Sequence, residues 1–262
     1  MACWLVLVAT AGAERLPVRV FTTADGLANN HVDRGTIDAN GFLWLATGEG
    51  VSRFDGSRFE SFGTPDGLPA AKSHDILGTR DGRVYVATDG GLAVLDLAEK
   101  YVRPRFRSLT TDATDCVIQD PDGIIWAGTQ NGLVRFDGAR ATVVPIPHGV
   151  ISIASDARDR SMWLGTFSGL VHRTRDGALE HWRVGPRDEE DDRVFRVLLA
   201  RDGKLWIGHV GRRLLVATLP LTPTSEPLWE VSAVTHLVPD GAPRRDIFED
   251  STGTIWIGTT SH

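Results

Sequence analysis

Eight histidines are scattered through the chain, at His31, His74, His148, His172, His181, His209, His236 and His262. No two have the His-x-x-x-His spacing that brings two imidazoles to one metal. Neither a metal nor a cofactor is therefore expected. No nucleophile elbow, phosphate loop or dinucleotide fingerprint is present, and the carboxylates fall mostly at turns. The densest acidic run, Gly185-Pro186-Arg187-Asp188-Glu189-Glu190-Asp191-Asp192, has the donors to chelate a cation but reads as a solvated surface turn. Cys3 lies in an apolar leader. Cys116 sits among apolar residues of a strand, as an inert core thiol. The net charge of −6 and the lack of a basic run argue against nucleic acid. No apolar stretch reaches the roughly eighteen residues of a membrane helix.

What could position functional side chains is a repeat. Gly123-Ile124-Ile125-Trp126-Ala127-Gly128-Thr129 recurs as Gly41-Phe42-Leu43-Trp44-Leu45-Ala46-Thr47 and Gly82-Arg83-Val84-Tyr85-Val86-Ala87-Thr88. It returns as Gly203-Lys204-Leu205-Trp206-Ile207-Gly208-His209 and Gly253-Thr254-Ile255-Trp256-Ile257-Gly258-Thr259. The copy at Ser161-Met162-Trp163-Leu164-Gly165-Thr166 has Arg160 in place of the leading glycine. The anchors Trp44, Tyr85, Trp126, Trp163, Trp206 and Trp256 recur at about forty residues, a period diagnostic of repeat architecture. Period two makes both faces of the anchor strand apolar or small, so it lies between two layers. Asp-Gly before it is hairpin chemistry. A Gly-led strand such as Gly132-Leu133-Val134-Arg135-Phe136 follows, then a fourth. Four short antiparallel strands per repeat predict an all-β fold, a β-propeller of four-stranded blades.

Blades are expected at 28–63, 70–108, 111–146, 148–184 and 191–232. The fourth has a distorted hairpin at Arg160, and a proline-rich insertion at Leu219–Pro227 lies in the fifth. A sixth blade begins near Arg244 and reaches only its anchor strand. The propeller domain thus covers 17–262, truncated in blade six. Residues 18–27 match 59–68 in register, Phe21 with Phe62 and Asp25-Gly26-Leu27 with Asp66-Gly67-Leu68. Residues 18–22 are therefore expected to pair as the outer strand of the incomplete sixth blade, or to lie ready for a further blade. Residues 1–13 read as a signal peptide ending in Ala11-Gly12-Ala13, clipped of its basic start.

Asp-Gly-Leu, then Gly-x-Leu-Trp-Ile-Gly-Thr, then Gly-Leu-x-Arg-Phe-Asp-Gly resembles the two-component regulator propeller repeat, best in blades one and three. The resemblance implies an exported, extracytoplasmic sensor region of a membrane-anchored hybrid histidine kinase or related signalling protein. It also implies part of a seven-bladed propeller, output domains elsewhere, and oligosaccharide sensing. Arg160, His209 and the missing Asp-Gly-Leu links before blades three to six depart from the pattern. Two other readings stay open: a protein-interaction scaffold, and a propeller enzyme similar to virginiamycin B lyase, for which His209 is the only histidine inside an anchor strand. Self-association through the propeller or through further domains is a further expectation.

In a propeller the links into the innermost strands and the turns after the anchor strands converge on one rim of a central funnel. Repeat alignment puts Asn30, His31, His74, Asp115, Arg193 and Arg245 at the first set of positions. Glu49, Asp89, Gln130 and Asn131 occupy the second. Mixed donors and acceptors on a constant frame suit a neutral polyhydroxyl ligand, such as a carbohydrate. Phe167 offers a face for stacking.

Overall fold

Each repeat folds as an up-and-down antiparallel sheet because its turn residues recur at fixed offsets from its anchor. The computed structural model describes residues 19–98, 103–138, 140–185, 191–210, 213–219, 230–231 and 244–259. The leader, the prolines of the insertion and residues 186–190 of the acidic run lie outside them. Blade one comprises β1 (Val32–Ile37), β2 (Leu43–Thr47), β3 (Gly50–Phe54) and β4 (Phe59–Phe62). Blade two comprises β5 (Ser73–Gly78), β6 (Arg83–Thr88), β7 (Gly91–Asp96) and a two-residue β8 (Arg107–Ser108). Blade three comprises β9 (Thr114–Gln119), β10 (Ile125–Thr129), β11 (Gly132–Asp137) and β12 (Arg140–Val144). Blade four comprises β13 (Val150–Ser155), β14 (Met162–Thr166), β15 (Gly169–Arg173) and β16 (Leu179–Trp182). Blade five comprises β17 (Val194–Leu199), β18 (Lys204–His209), β19 (Arg213–Thr218) and β20 (Glu230–Val231). Blade six has β21 (Arg244–Glu249) and β22 (Ile255–Thr259) among the described residues.

Each sheet runs in sequence order, and the first strands β1, β5, β9, β13, β17 and β21 lie successively side by side. This is the radial arrangement of a β-propeller. All six anchors fall on second strands. Trp44, Tyr85, Trp126 and Trp163 are buried, whereas Trp256 is 59% exposed. Apolar cores fill the seams between blades. Trp44, Phe62, Val84, Leu95 and Phe106 join blades one and two. Trp126, Leu133, Ile153 and Leu164 join blades three and four.

A carboxylate six residues before the anchor fixes each well-formed hairpin. Asp120 Oδ1 accepts the backbone N–H of Asp122 and Ile124, both at 2.9 Å, and its Oδ2 accepts the Trp126 indole N–H at 2.8 Å. Asp38 with Trp44 and Asp250 with Trp256 repeat the arrangement, each at 2.7 Å. Blade five has Ala200 there, and the buried Trp206 Nε1 has no partner among the described residues. In blade four Arg160, standing for glycine, adopts φ 64°, so the hairpin keeps a left-handed residue without the usual one. In the Asp-Gly-Leu link, Gly67 has φ +97°, and a Cβ would sit 2.1 Å from the Phe106 carbonyl oxygen. Only glycine fits there. The following Leu68, like its counterpart Leu27, is buried.

The expected closing strand is not formed. Residues 19–22 make no strand pairing, and Phe21 packs against Phe54 and Phe59 of blade one at 5.2 and 5.4 Å between ring centroids. Blade six has no third strand among the described residues to receive it, and Phe21 instead buries its ring on the aromatic pair of blade one.

Candidate functional site

All six inner strands carry a bulge at the same register. It falls between Val32 and Arg34, Ser73 and Asp75, Thr114 and Cys116, Val150 and Ser152, Val194 and Arg196, and Arg244 and Asp246. A bulge re-aims the residue it inserts. The inserted residues are Asp33, His74, Asp115, Ile151, Phe195 and Arg245, at the end of the inner strand where the turn after each anchor strand also opens. His74, Asp115 and Arg245 thus hold equivalent places, as repeat alignment gave. His31 and Arg193 come two residues ahead of Asp33 and Phe195, because the links before the bulge vary in length. The Arg245 side chain lies outside the description.

The structure brings His74, Asp89 and Asp115 together. His74 Nε2 lies 2.5 Å from Asp89 Oδ1 across the β5–β6 pair. Asp115, on the neighbouring inner strand, feels both. Burial pushes its carboxyl above the ordinary range, Asp89 adds to that, and His74 and Lys72 oppose it. Asp115 Oδ2 is buried and accepts no hydrogen bond among the described residues, and the same holds for Asp33 Oδ2. A buried acceptor without a donor is an unmet demand. The bulges of blades one and three, on either side of His74, therefore each carry a carboxylate oxygen without a donor among the described residues, with His31 Nε2 3.1 Å from Asp33 Oδ1 at the first.

The other expected rim residues are dispersed. Asn30 Oδ1 accepts the Thr23 backbone N–H at 2.8 Å, a local link contact. Arg193 is forked onto Asp191, with NH2 to Oδ2 at 2.5 Å. Glu49, Gln130 and Asn131 are exposed on the turns after β2 and β10, and Phe167 on the turn after β14 is 40% exposed. His209 is fully buried with its Nε2 3.1 Å from Asp192 Oδ1. Among the described residues no three His, Cys, Asp or Glu side chains could hold a metal ion.

Sequence reading missed the layer below. One residue past each bulge stand Arg34, Asp75, Cys116, Ser152, Arg196 and Asp246. Arg34 pairs with Asp246, and with Asp75 at 3.6 Å; Arg196 Nε is 3.1 Å from Asp246. The network joins two positive and two negative groups across the inner strands of blades one, two, five and six. Burial works against the Arg34 charge, yet Asp75 and Asp246 together hold its pKa above the usual value. Burial and the Arg34 charge push Arg196 down, and burial pushes Asp75 up. The same layer ties blade to blade: Val117 N–H donates to Asp75 Oδ2 at 2.9 Å, and Val197 N–H to Ser152 Oγ at 3.1 Å. Burial raises the Cys116 thiol, so it stays protonated and inert. The available signal was a single charge inside an apolar strand, as in Asp75-Ile76-Leu77 and Arg196-Val197-Leu198.

The family model for the two component regulator propeller matches residues 238–261, so the chain carries that repeat. No curated protein sequence matches the chain. The extracellular domain of the putative hybrid two component system BT3049 from B. thetaiotaomicron superposes at TM-score 0.61 with 20% identity, over 88% of this chain and 32% of that one. The corresponding domain of BT4673 from the same organism gives 0.53 and 18%, over 87% and 37%. Virginiamycin B lyase from Staphylococcus aureus gives 0.66 and 16%, over 87% and 77%. The chain thus spans about a third of the two extracellular domains, and at these identities the likeness is one of fold. No helix among the described residues is long and apolar enough to cross a membrane.

Proposed function

We propose that this propeller is a non-catalytic, extracytoplasmic sensor module of a two-component signalling protein. It binds a hydroxyl-rich ligand, an oligosaccharide, on the bulge rim and passes the signal to output domains outside this chain. The observation that carries the reading is the convergence of His74, Asp89 and Asp115 on one rim, with a carboxylate oxygen on Asp115 that has no donor among the described residues. A carboxylate accepts hydrogen bonds and an imidazole both donates and accepts, which together match paired sugar hydroxyls. The two component regulator propeller repeat at 238–261 supports the signalling context.

The lyase likeness supports a second reading in fold, but the chemistry favours the sensor. His209 is enclosed and engaged by Asp192, where no substrate reaches it. A calorimetric titration of neutral oligosaccharides, repeated on His74→Ala and Asp115→Ala, tests the sensor reading. Binding that depends on both residues supports it, and binding indifferent to them removes the rim from the account.

A further inference from the structure

Blade two departs from the repeat at several positions that meet in space. Thr79 stands where Asp38 and Asp120 hold an indole, and Tyr85 stands where they hold tryptophan. Arg83 takes the place of Phe42 and Ile124. It pairs with Asp81 at 3.1 Å, and Tyr85 beside it raises the arginine pKa. The outer strand β8 pairs with β7 at only two positions, Ala93 with Ser108 and Val94 with Arg107, where β3 and β4 pair at four.

The register shows what this does to charge. In blade one, Arg53 faces Glu60 across the outer strand pair and binds it at 2.6 Å. In blade four, His172 faces Glu180 at the same register and binds it at 3.0 Å. In blade two that place holds Val94 opposite Arg107, so Arg107 has no partner across the strand. Arg105, the counterpart of Arg58 that pairs with Asp55 in blade one, is likewise without a partner among the described residues. The nearest equivalent carboxylate, Asp96, is engaged by Arg83 at 3.8 Å.

These residues line a cleft of about 660 Å³ between blades two and three, floored by Tyr85, Val94 and Phe136. The volume is in the range of small-ligand sites, about 300–1,000 Å³. Arg83, Arg105, Arg107 and Asp96 line it, on a chain whose net charge is −6; Arg83 is engaged by Asp81 at 3.1 Å and by Asp96, whereas Arg105 and Arg107 have no carboxylate partner among the described residues. Guanidinium groups left without carboxylates are built to fork onto carboxylate or sulfate oxygens.

We propose that this inter-blade cleft is a second binding site, separate from the rim, for an acidic saccharide carrying two or more carboxylate or sulfate groups. Arg105 and Arg107 take the anionic groups, and Arg83, held by Asp81 and Asp96, fixes the inner end. The cleft does not depend on the rim reading, since no residue is shared between them.

The test is calorimetric titration with three probes: a trigalacturonate for the carboxylate source, a sulfated chondroitin disaccharide for the sulfate source, and maltotriose as the neutral control. At least one anionic probe is expected to bind and to weaken as salt rises. Arg105→Ala with Arg107→Ala is expected to weaken it by about tenfold or more, since each fork onto an anion is a strong hydrogen-bonding contact. Both arginines are exposed, so melting should stay unchanged and report an intact fold. His74→Ala with Asp115→Ala should leave anion binding as it was, which separates this site from the rim. The proposal is overturned if neither anionic probe binds, if maltotriose binds as well as they do, or if the double arginine variant binds undiminished.

Discussion

Arg34 of the first blade and Asp246 of the sixth meet in an ion pair where the inner strands converge. The contact joins the first and last repeats, and Arg196 adds a second cation to the same carboxylate. Residues in contact show coupling of about 0.5–3 kcal/mol in a double-mutant cycle. A cycle of Arg34→Met and Asp246→Leu, read by denaturant melts, should fall in that range. Additive effects would mean that the two ends of the chain do not meet.

Trp126 and Trp256 hold equivalent strand positions but different surroundings. Trp126→Ala should destabilise by about 3–5 kcal/mol, as for other buried aromatics. Trp256→Ala, at a 59% exposed position, should cost about 1 kcal/mol or less. Asp120→Ala should cost about 1–3 kcal/mol, because it strands the Trp126 indole N–H and two turn amides. Urea melts of the three variants check the order. Equal losses at both tryptophans would contradict the seam packing.

Asp192 should set an acid limit. Burial alone would raise its carboxyl, but hydrogen bonds from His209, Gly185 and Val184 outweigh this and hold it below the usual range. A depressed carboxylate contributes stability above its unfolded value, about 3.9, and that contribution is lost as pH falls through the folded value. Melting temperature measured from pH 7 to pH 3 should therefore fall less steeply in Asp192→Asn than in the parent chain. Parallel curves would contradict it.

Asp115 carries the opposite sign. Its carboxyl is raised, so ionisation disfavours the folded state at neutral pH, and protonation relieves this as pH falls. Asp115→Asn should raise the melting temperature at pH 7, with the gain vanishing below the ordinary aspartate range of about 3.9. A loss of stability at pH 7 would show that the carboxylate is satisfied in some other way.

Much of this fold was legible because the anchor is aromatic in all six copies and a turn glycine leads five of them. Blade limits read from them, such as 70–108 and 148–184, enclose the observed strands. The rim was legible only in part. A bulge leaves no mark in one sequence, and the links before it vary, so His31 and Arg193 aligned two residues away from Asp33 and Phe195. The axial layer was hidden for a different reason. Arg34, Asp75, Cys116, Ser152, Arg196 and Asp246 share a position but not a residue type, and their pairing runs across the ring. Residues 19–22 do not pair with blade six despite real similarity: Phe21 matches Phe62 in pattern, yet its aromatic neighbours are Phe54 and Phe59.

The measurement that bears most directly on the sensor reading is a glycan array followed by calorimetry on the parent chain and on the triple variant His74→Ala, Asp89→Ala, Asp115→Ala. The account predicts saturable binding of a neutral oligosaccharide to the parent, with the affinity lowered by about tenfold or more in the triple variant. Binding that survives all three substitutions, or a parent chain that takes up no neutral glycan, would contradict it.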